Sequence, residues 1–346
     1  MYYISCREKT YFIADIAANH DGDLERAKNL CLLAKEAGAD AAKFQHFKAS
    51  TIVSDKGFND LGCKQSHQSG WEKSIFEVYQ DASVPLDWTK ELKCFCDSIG
   101  LDFFTTPYDI DYVDELDKFV SRYKIGSGDI TWHKMLHKVA SKGKQVIIAT
   151  GASNMREVLD AVSILSKYNI PICLMQCNTN YTVDLENHKH INLNVLKTYK
   201  KFYPDIQLGL SDHTAGDVTV LGAVALGATM VEKHFTDDNN REGPDHPFSM
   251  NPKSWRDMVD RTRLLELSLG DGYKKVEHNE KETVVLQRRS IRINKDLYEG
   301  YKLCEEDLYE VRPCPENCVP PSKSIVGKKL TCDLQKGDCI KYEHIE

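Results

Sequence analysis

The chain has 346 residues and a formal net charge of −7, with Lys and Arg spread in short clusters such as Lys200-Lys201. That balance excludes nucleic acid as the main partner, because phosphate backbones are gripped by a basic stripe. The length is more than one ordinary core needs and suits a barrel of about 250 residues with a smaller module attached.

The opening segment, MYYISCREKTYFIADIAANH, lacks the ordered charged, apolar and cleavage regions of a signal peptide. No apolar run approaches the ~18 residues of a membrane span. The expectation is a cytoplasmic protein with no membrane partner. Tyr11–Ala17 is a short apolar run closing on the polar turn 18–23, which can cap a helix that starts near Leu24 and ends at Gly38. Ala41–Phe47 predicts a second strand with Lys43 and Gln45 on one face. Residues 48–84 show weak periodicity and read as a long loop of the kind that serves as a lid or binding loop.

Leu86–Ser98 predicts a helix, Leu101–Pro107 a third strand presenting Thr105 and Thr106 at its end, and Tyr112–Phe119 another helix. Tyr123–Ile130 predicts a fourth strand bearing Lys124, Ser127 and Asp129. Further strands fall at Gln145–Gly151, Pro171–Asn178, Leu208–His213 and Ala228–Phe235, with helices at Met155–Tyr168 and Asp217–Leu226. Eight strand-like runs alternating with helical patterns predict an α/β fold, a closed parallel (β/α)8 TIM barrel, with an open doubly wound sheet as the alternative.

Near residue 280 the alternation gives way to a charged connector. Short β pieces follow at Arg289–Ile293, Lys302-Leu303, Leu308–Val311 and Cys339–Tyr342, separated by turns at Glu299-Gly300 and Lys336-Gly337 and by a Pro-rich stretch, 312–321. The predicted division is a catalytic barrel over 1–278 and a small β-rich tail over 279–346. The twelve cysteines are scattered, and CPENC at 314–318 has no second half at zinc-finger spacing. All read as reduced, mostly buried thiols of a reducing compartment.

In a strand–helix–strand unit both parallel strands finish at the same sheet edge, so His213 and His234 become neighbours at the edge where such folds bind ligands. Ser211, Asp212, Glu232 and Asp237 crowd beside them. Paired imidazoles with open positions suit a divalent transition metal acting as a Lewis acid on a carbonyl. Lys43, Lys124, Ser127, Thr105 and Thr106 fall at the ends of different strands and supply cations and donors for an anionic substrate. No Walker-type loop and no G-x-G-x-x-G after the first strand is present, which disfavours nucleoside triphosphates and dinucleotides.

These motifs together resemble the sialic acid synthase family, which condenses phosphoenolpyruvate with an N-acylated mannosamine-type sugar. The resemblance rests on IADIAANHDG at the start, KFQ at 43–45, TTP at 105–107, KIGSGD at 124–129, GLSDHT at 209–214, EKHFTD at 232–237 and GPD at 243–245. The tail resembles a type III antifreeze protein, the SAF or β-clip module. What the resemblance implies is metal binding by His213 and His234, with manganese the expected ion and magnesium or cobalt as alternatives. It implies phosphoenolpyruvate binding by Lys43, Thr106, Lys124, Ser127 and Ser211, and sugar contacts from Gln45, Asp129, Tyr181 and Asp245. Asp15, Lys43, Glu232 and the two histidines are the implied catalytic set. Arg312 matches an arginine that reaches into the partner's site in a domain-swapped homodimer.

The match departs from the family pattern in places. Asp15 and Asp129 stand where the family carries glutamate, the loop asparagine after the second strand is replaced near Gly70, and Asn178-Thr-Asn-Tyr181 differs locally. The expected product is N-acetylneuraminate, with legionaminic or pseudaminic acid as alternatives, since acid length decides which hydroxyls or amides are paired. A metal-dependent hydrolase on the same barrel is a remoter reading and needs His20 as a further ligand. Ice binding by the tail is disfavoured by its charges, among them Lys302, Glu305, Glu306, Asp307, Lys328 and Lys329.

Overall fold

The computed structural model describes residues 9–61, 68 and 71–346. Eight strands, β1 (Tyr11–Asp15), β2 (Ala41–His46), β3 (Asp102–Pro107), β4 (Arg122–Ile125), β5 (Gln145–Ala149), β6 (Ile172–Cys177), β7 (Gln207–Asp212) and β8 (Met230–His234), close in sequence order into a barrel. Every neighbouring pair is parallel, including β1 with β8. Parallel strands are covered on both faces, so they read as near-continuous apolar runs, and β6 and β8 are buried along their whole length. The open doubly wound sheet is thereby excluded.

Local chemistry sets where the helices begin and stop. Asp23 caps the helix Leu24–Glu36 by accepting from the Arg26 backbone N–H, and Gly38 just beyond it takes φ +96°, open to glycine but strained for other residues. The helix Pro252–Leu269 starts from an Asn251 cap with Pro252 in its first turn. It buries Trp255 edge-on against Phe235 beyond the end of β8, with ring centroids 5.5 Å apart. Among the described residues no helix is long and apolar enough to cross a membrane.

The structure departs from the sequence reading in several places. Residues 48–84 are not one loop: among the described residues they hold helices at Ala49–Ile52, Asp55–Asp60 and Ile75–Ala82. The fourth strand stops at Ile125, and Ser127–Asp129 forms a single 3-10 turn, so these two side chains leave a turn and not a strand. Cys318 and Cys339 are joined in a disulfide, whereas the sequence reading has every cysteine reduced. Residues 21 apart in sequence meet here because Cys318 and Lys341 form a β-bridge, which spacing alone does not reveal. Eight other cysteines of the described residues are free thiols; Cys6 and Cys63 lie outside them.

The chain divides into two compact units, Met1–Gly270 and Asp271–Glu346. The second opens with a helix, Lys281–Gln287, where the sequence suggested only a connector, and pairs β9 (Ser290–Ile293) antiparallel with β10 (Leu308–Val311). The Lys302 and Cys339 pieces contribute single bridges, not strands. Ile291, Ile293, Leu303, Val319, Leu330 and Ile340 form a core of its own. A unit this small buries little apolar area, and cross-linking its chain by the disulfide compensates in part.

Candidate active site

The barrel register fixes the site before any side chain is considered. Asp15 on β1 is level with Lys43 on β2 and with His234 on β8, Gln45 is level with Thr106, and Ser211 on β7 is level with Glu232. With a period of two, these residues turn inward together, while Lys233 and Asp212 turn outward and pair with each other under the helix Val218–Ala225.

The inward set forms a small polar chamber of about 40 Å³, lined by Asp15, Lys43, Lys124, Ser211, His213 and Glu232 among others. Two buried ion pairs cross its floor. Lys43 Nζ stands 2.7 Å from Asp15 Oδ2, and Lys124 Nζ 2.7 Å from Glu232 Oε1. Lys43 also donates to Thr106 Oγ1 at 3.3 Å, and Ser211 Oγ to Glu232 Oε1 at 3.1 Å. Gln45 donates to Asp15 at 3.2 Å, and Ser127 Oγ accepts the Gly151 N–H at 2.9 Å. A Cβ built on Gly151 would stand 2.9 Å from that hydroxyl and 2.5 Å from Thr179 Cγ2, so only glycine lets the backbone approach.

Burial pushes the Asp15 carboxyl upward, but the Lys43 ammonium and the other cations around it outweigh this and hold it below its ordinary value. Glu232 is likewise held low against burial by Lys124 and Lys43. Burial pushes Lys43 down, and Asp15 and Glu232 reverse the sign and raise it. Asp15, Glu232 and Lys43 are thus charged at neutral pH. Each cation is already matched by an anion, while Glu232 Oε2 is buried with no hydrogen-bond partner.

The two histidines face each other across the chamber rim, ring centroids 5.4 Å apart, with Tyr181 at 4.2 Å from His213 and Phe248 at 5.0 Å from His234. His213 Nδ1 lies 2.9 Å from the Asn178 carbonyl, which makes Nδ1 the donor of that bond. His234 Nδ1 is buried without a hydrogen bond, 3.8 Å from Asp245, and its Nε2 is 3.6 Å from Asp15. Burial lowers the His234 pKa and favours the neutral imidazole that a metal needs. His213 goes the other way: burial pushes it down, but its hydrogen bonds with Cys177 and the Asn178 carbonyl outweigh this and raise it. An imidazole with an orphaned buried nitrogen beside a second imidazole fits a divalent ion. Among the described residues no three His, Cys, Asp or Glu side chains converge closely enough to enclose an ion alone, so an ion here would complete its shell from substrate and solvent. His20 lines neither this chamber nor its continuation: its Nδ1 accepts the Gly22 N–H and its ring stands edge-on to Trp88. The hydrolase reading loses the ligand it requires.

A second, larger chamber of about 290 Å³ continues outward and shares Gln45, Tyr108, Tyr181 and His234 with the first. Its wall is mixed: Phe47, Ile52, Trp71, Val78, Tyr79 and Ala82 form an apolar part, and Gln45, Tyr108, Asp129, Tyr181, His234 and Asp245 bring polar groups. Asp129 and Asp245 are its carboxylates. Burial without a compensating cation raises Asp129 to about 6. Asp245 accepts the Ala18 N–H at 3.0 Å.

Comparison with known proteins decides the family. The NeuB family model matches residues 30–274, which is more than half of the chain. The chain belongs to the NeuB family. It is 34% identical to the N,N'-diacetyllegionaminic acid synthase of Legionella pneumophila, over 97% of this chain and 94% of the relative. It is 30% identical to human N-acetylneuraminate-9-phosphate synthase, over 99% of this chain and 95% of the relative. The crystal structure of an N-acetylneuraminic acid (sialic acid) synthetase from Leptospira borgpetersenii superposes with a TM-score of 0.70 at 30% identity, covering 80% of this chain and 90% of that one.

The NeuB-family match spans β2 to the helix Pro252–Leu269, and β1, which supplies Asp15, precedes it. Asp15, Lys43, Lys124, Ser127, Ser211, His213 and Glu232 line the inner chamber, Gln45, Tyr181 and His234 line both, and Asp129 and Asp245 line the outer one. Thr106 reaches the inner chamber through its bond from Lys43. Arg312 belongs to the second compact unit, where it is exposed. Gly70 lies outside the described residues. Sequence reasoning missed Tyr108, Phe248 and the Ile75–Ala82 helix. That helix carries a legible signal: Ser74 and Glu77 form a capping box, and Ile75, Val78, Tyr79 and Ala82 recur at helical spacing.

Proposed function

We propose that this NeuB-family chain is an enzyme that condenses phosphoenolpyruvate with an open-chain N-acylated mannosamine-type sugar and water, giving a nonulosonic acid and phosphate. The observation that carries this reading is the inner chamber, where two lysines, two histidines and the hydroxyls of Ser127 and Ser211 surround one small buried space, with Thr106 bonded to Lys43. Phosphoenolpyruvate brings a phosphate and a carboxylate, and Lys43, Lys124, Thr106, Ser127 and Ser211 are the donors that would receive them. Because both lysines are already paired, the substrate must share them with Asp15 and Glu232. That sharing favours a tightly positioned anion over free phosphate.

C3 of phosphoenolpyruvate forms the new bond to the aldehyde carbon, and the aldehyde oxygen takes up a proton. Water adds at C2, and the C2–O bond breaks to release phosphate. In this reading Glu232 takes the proton of that water, which its unpartnered Oε2 supports. Asp15 and Gln45 orient the sugar beside His234. A divalent ion, manganese above magnesium or cobalt, is held in this reading by His213 and His234 and supplies a fixed positive charge where the aldehyde oxygen becomes negative.

In this reading the tail is an antifreeze-like SAF module whose Arg312 enters the site of a second subunit in a domain-swapped homodimer. Deleting residues 280–346 then abolishes condensation, and full activity in a monomeric truncation refutes the exchange. The direct test is phosphate release from phosphoenolpyruvate with manganese, with and without N-acetylmannosamine or its 2,4-diacetamido-2,4,6-trideoxy analogue. Release that depends on a sugar supports the reaction; release with neither sugar, or release that needs none, refutes it. N-acetylneuraminate is the product expected from the resemblance, with legionaminic or pseudaminic acid as the alternatives.

A further inference from the structure

We propose that Lys233 and Asp212 form a positioning clamp behind the two histidines, and that this clamp sets how tightly the site holds a divalent ion. The inference rests on the reading in which His213 and His234 bind that ion. Asp212 immediately precedes His213, Lys233 immediately precedes His234, and the two are level in the β7–β8 register. Because side chains alternate across a strand, Lys233 points away from the chamber that His234 faces. Its ammonium meets the Asp212 carboxylate under the helix Val218–Ala225, with the two side chains 2% and 1% exposed.

A strand face covered by a helix ordinarily carries apolar side chains. An ion pair there gives little net stability over well-packed hydrophobes, since desolvation of both charges offsets their attraction. What this pair does, and an apolar pair could not, is grip backbone past the end of β7. Lys233 Nζ donates to Asp212 Oδ2 and, at 2.6 Å, to the Thr214 carbonyl. Asp212 accepts from the Thr214 N–H at 3.3 Å, from the Thr214 hydroxyl at 2.9 Å and from the Thr219 hydroxyl at 2.7 Å. His213 is therefore bracketed, because the residue before it and the residue after it both end on one ammonium. That ammonium belongs to the neighbour of His234, so the clamp ties the backbone of one histidine to that of the other. Thr219 anchors it from the covering helix. Lys43 and Lys124 pair elsewhere, with Asp15 and Glu232, so loss of the clamp leaves the anion-binding cations in place.

The test measures manganese binding to the full-length protein by loss of the free-ion paramagnetic resonance signal. Phosphoenolpyruvate affinity is measured by calorimetry without metal. Lys233→Met removes the ammonium and keeps most of the side-chain volume. It is expected to weaken manganese binding about 10-fold or more while phosphoenolpyruvate affinity stays within about 3-fold. Should the unpaired Asp212 prevent folding, Asp212→Asn combined with Lys233→Met buries no charge, still lacks the grip on Thr214, and is expected to show the same split. A folded variant of either kind that binds manganese as wild type does overturns the inference, and so does an equal loss of both affinities, which marks a structural role only. Wild-type protein that binds no manganese overturns it as well. Wild-type protein that binds manganese yet releases no phosphate with any sugar overturns the condensation reading alone, because the clamp is read without turnover.

Discussion

The inner and outer chambers share a wall but are built on different principles. The inner one is made of strand ends, its residues held level by β-ladder register, its lysines and carboxylates paired one to one. The outer one is made of what the connections bring: a short helix, a 3-10 turn and the loop after β8, with apolar side chains and a carboxyl group lacking a cation. A rigid, charge-matched floor suits chemistry common to a family. A wall built from loops tolerates exchange of side chains and suits selection of one substrate among several.

If that division is right, damage to the floor costs turnover and damage to the wall costs preference. The largest loss is expected for Lys124→Ala, which removes a buried cation of the floor and leaves Glu232 without its counter-charge: at least ~1,000-fold in kcat/KM, with about 3–5 kcal/mol of stability. Steady-state phosphate release and denaturant unfolding check both parts, and near-normal turnover would remove Lys124 from the floor. His213→Ala and His234→Ala are each expected to lower turnover at least ~100-fold. Retained turnover with tight manganese binding in either variant contradicts their assignment.

Asp129 provides a pH test of the wall. Its folded-state pKa is raised from 3.8 to about 6, so its contribution to stability is fully present below the ordinary carboxyl value and is lost as pH rises through about 6. Asp129→Asn removes that dependence, and relative to wild type it should gain about 1–3 kcal/mol on going from pH 4 to pH 8 in urea unfolding. Its sugar KM should change while kcat is largely kept; a wild-type pH profile in the variant would place Asp129 outside the wall. The smallest effect is expected for Ser74→Ala. Losing the cap of the Ile75–Ala82 helix costs about 1 kcal/mol locally and should raise the sugar KM a few-fold with the phosphoenolpyruvate KM unchanged. Hydrogen exchange over residues 75–82 reports the loosening directly.

The sequence by itself determined the barrel and most of its floor. Eight apolar runs at βα spacing permit little else, and once strands are parallel the residues that end them share one edge, so Lys43, Lys124, Ser211, His213, Glu232 and His234 were legible as a set. The tertiary structure decided what periodicity cannot carry. It showed that Asp15 and Glu232 neutralise the two lysines, because ion pairs depend on which strands become neighbours. It brought Tyr181 and Phe248 onto the histidine rings from separate loops. It joined Cys318 to Cys339, a pairing set by bridge register in the second unit. Among the described residues of 48–84 it also formed short helices, and apolar side chains of two of them line the outer chamber. Short helices gain most of their stability from the surface they pack on, and that surface exists only once the barrel has closed.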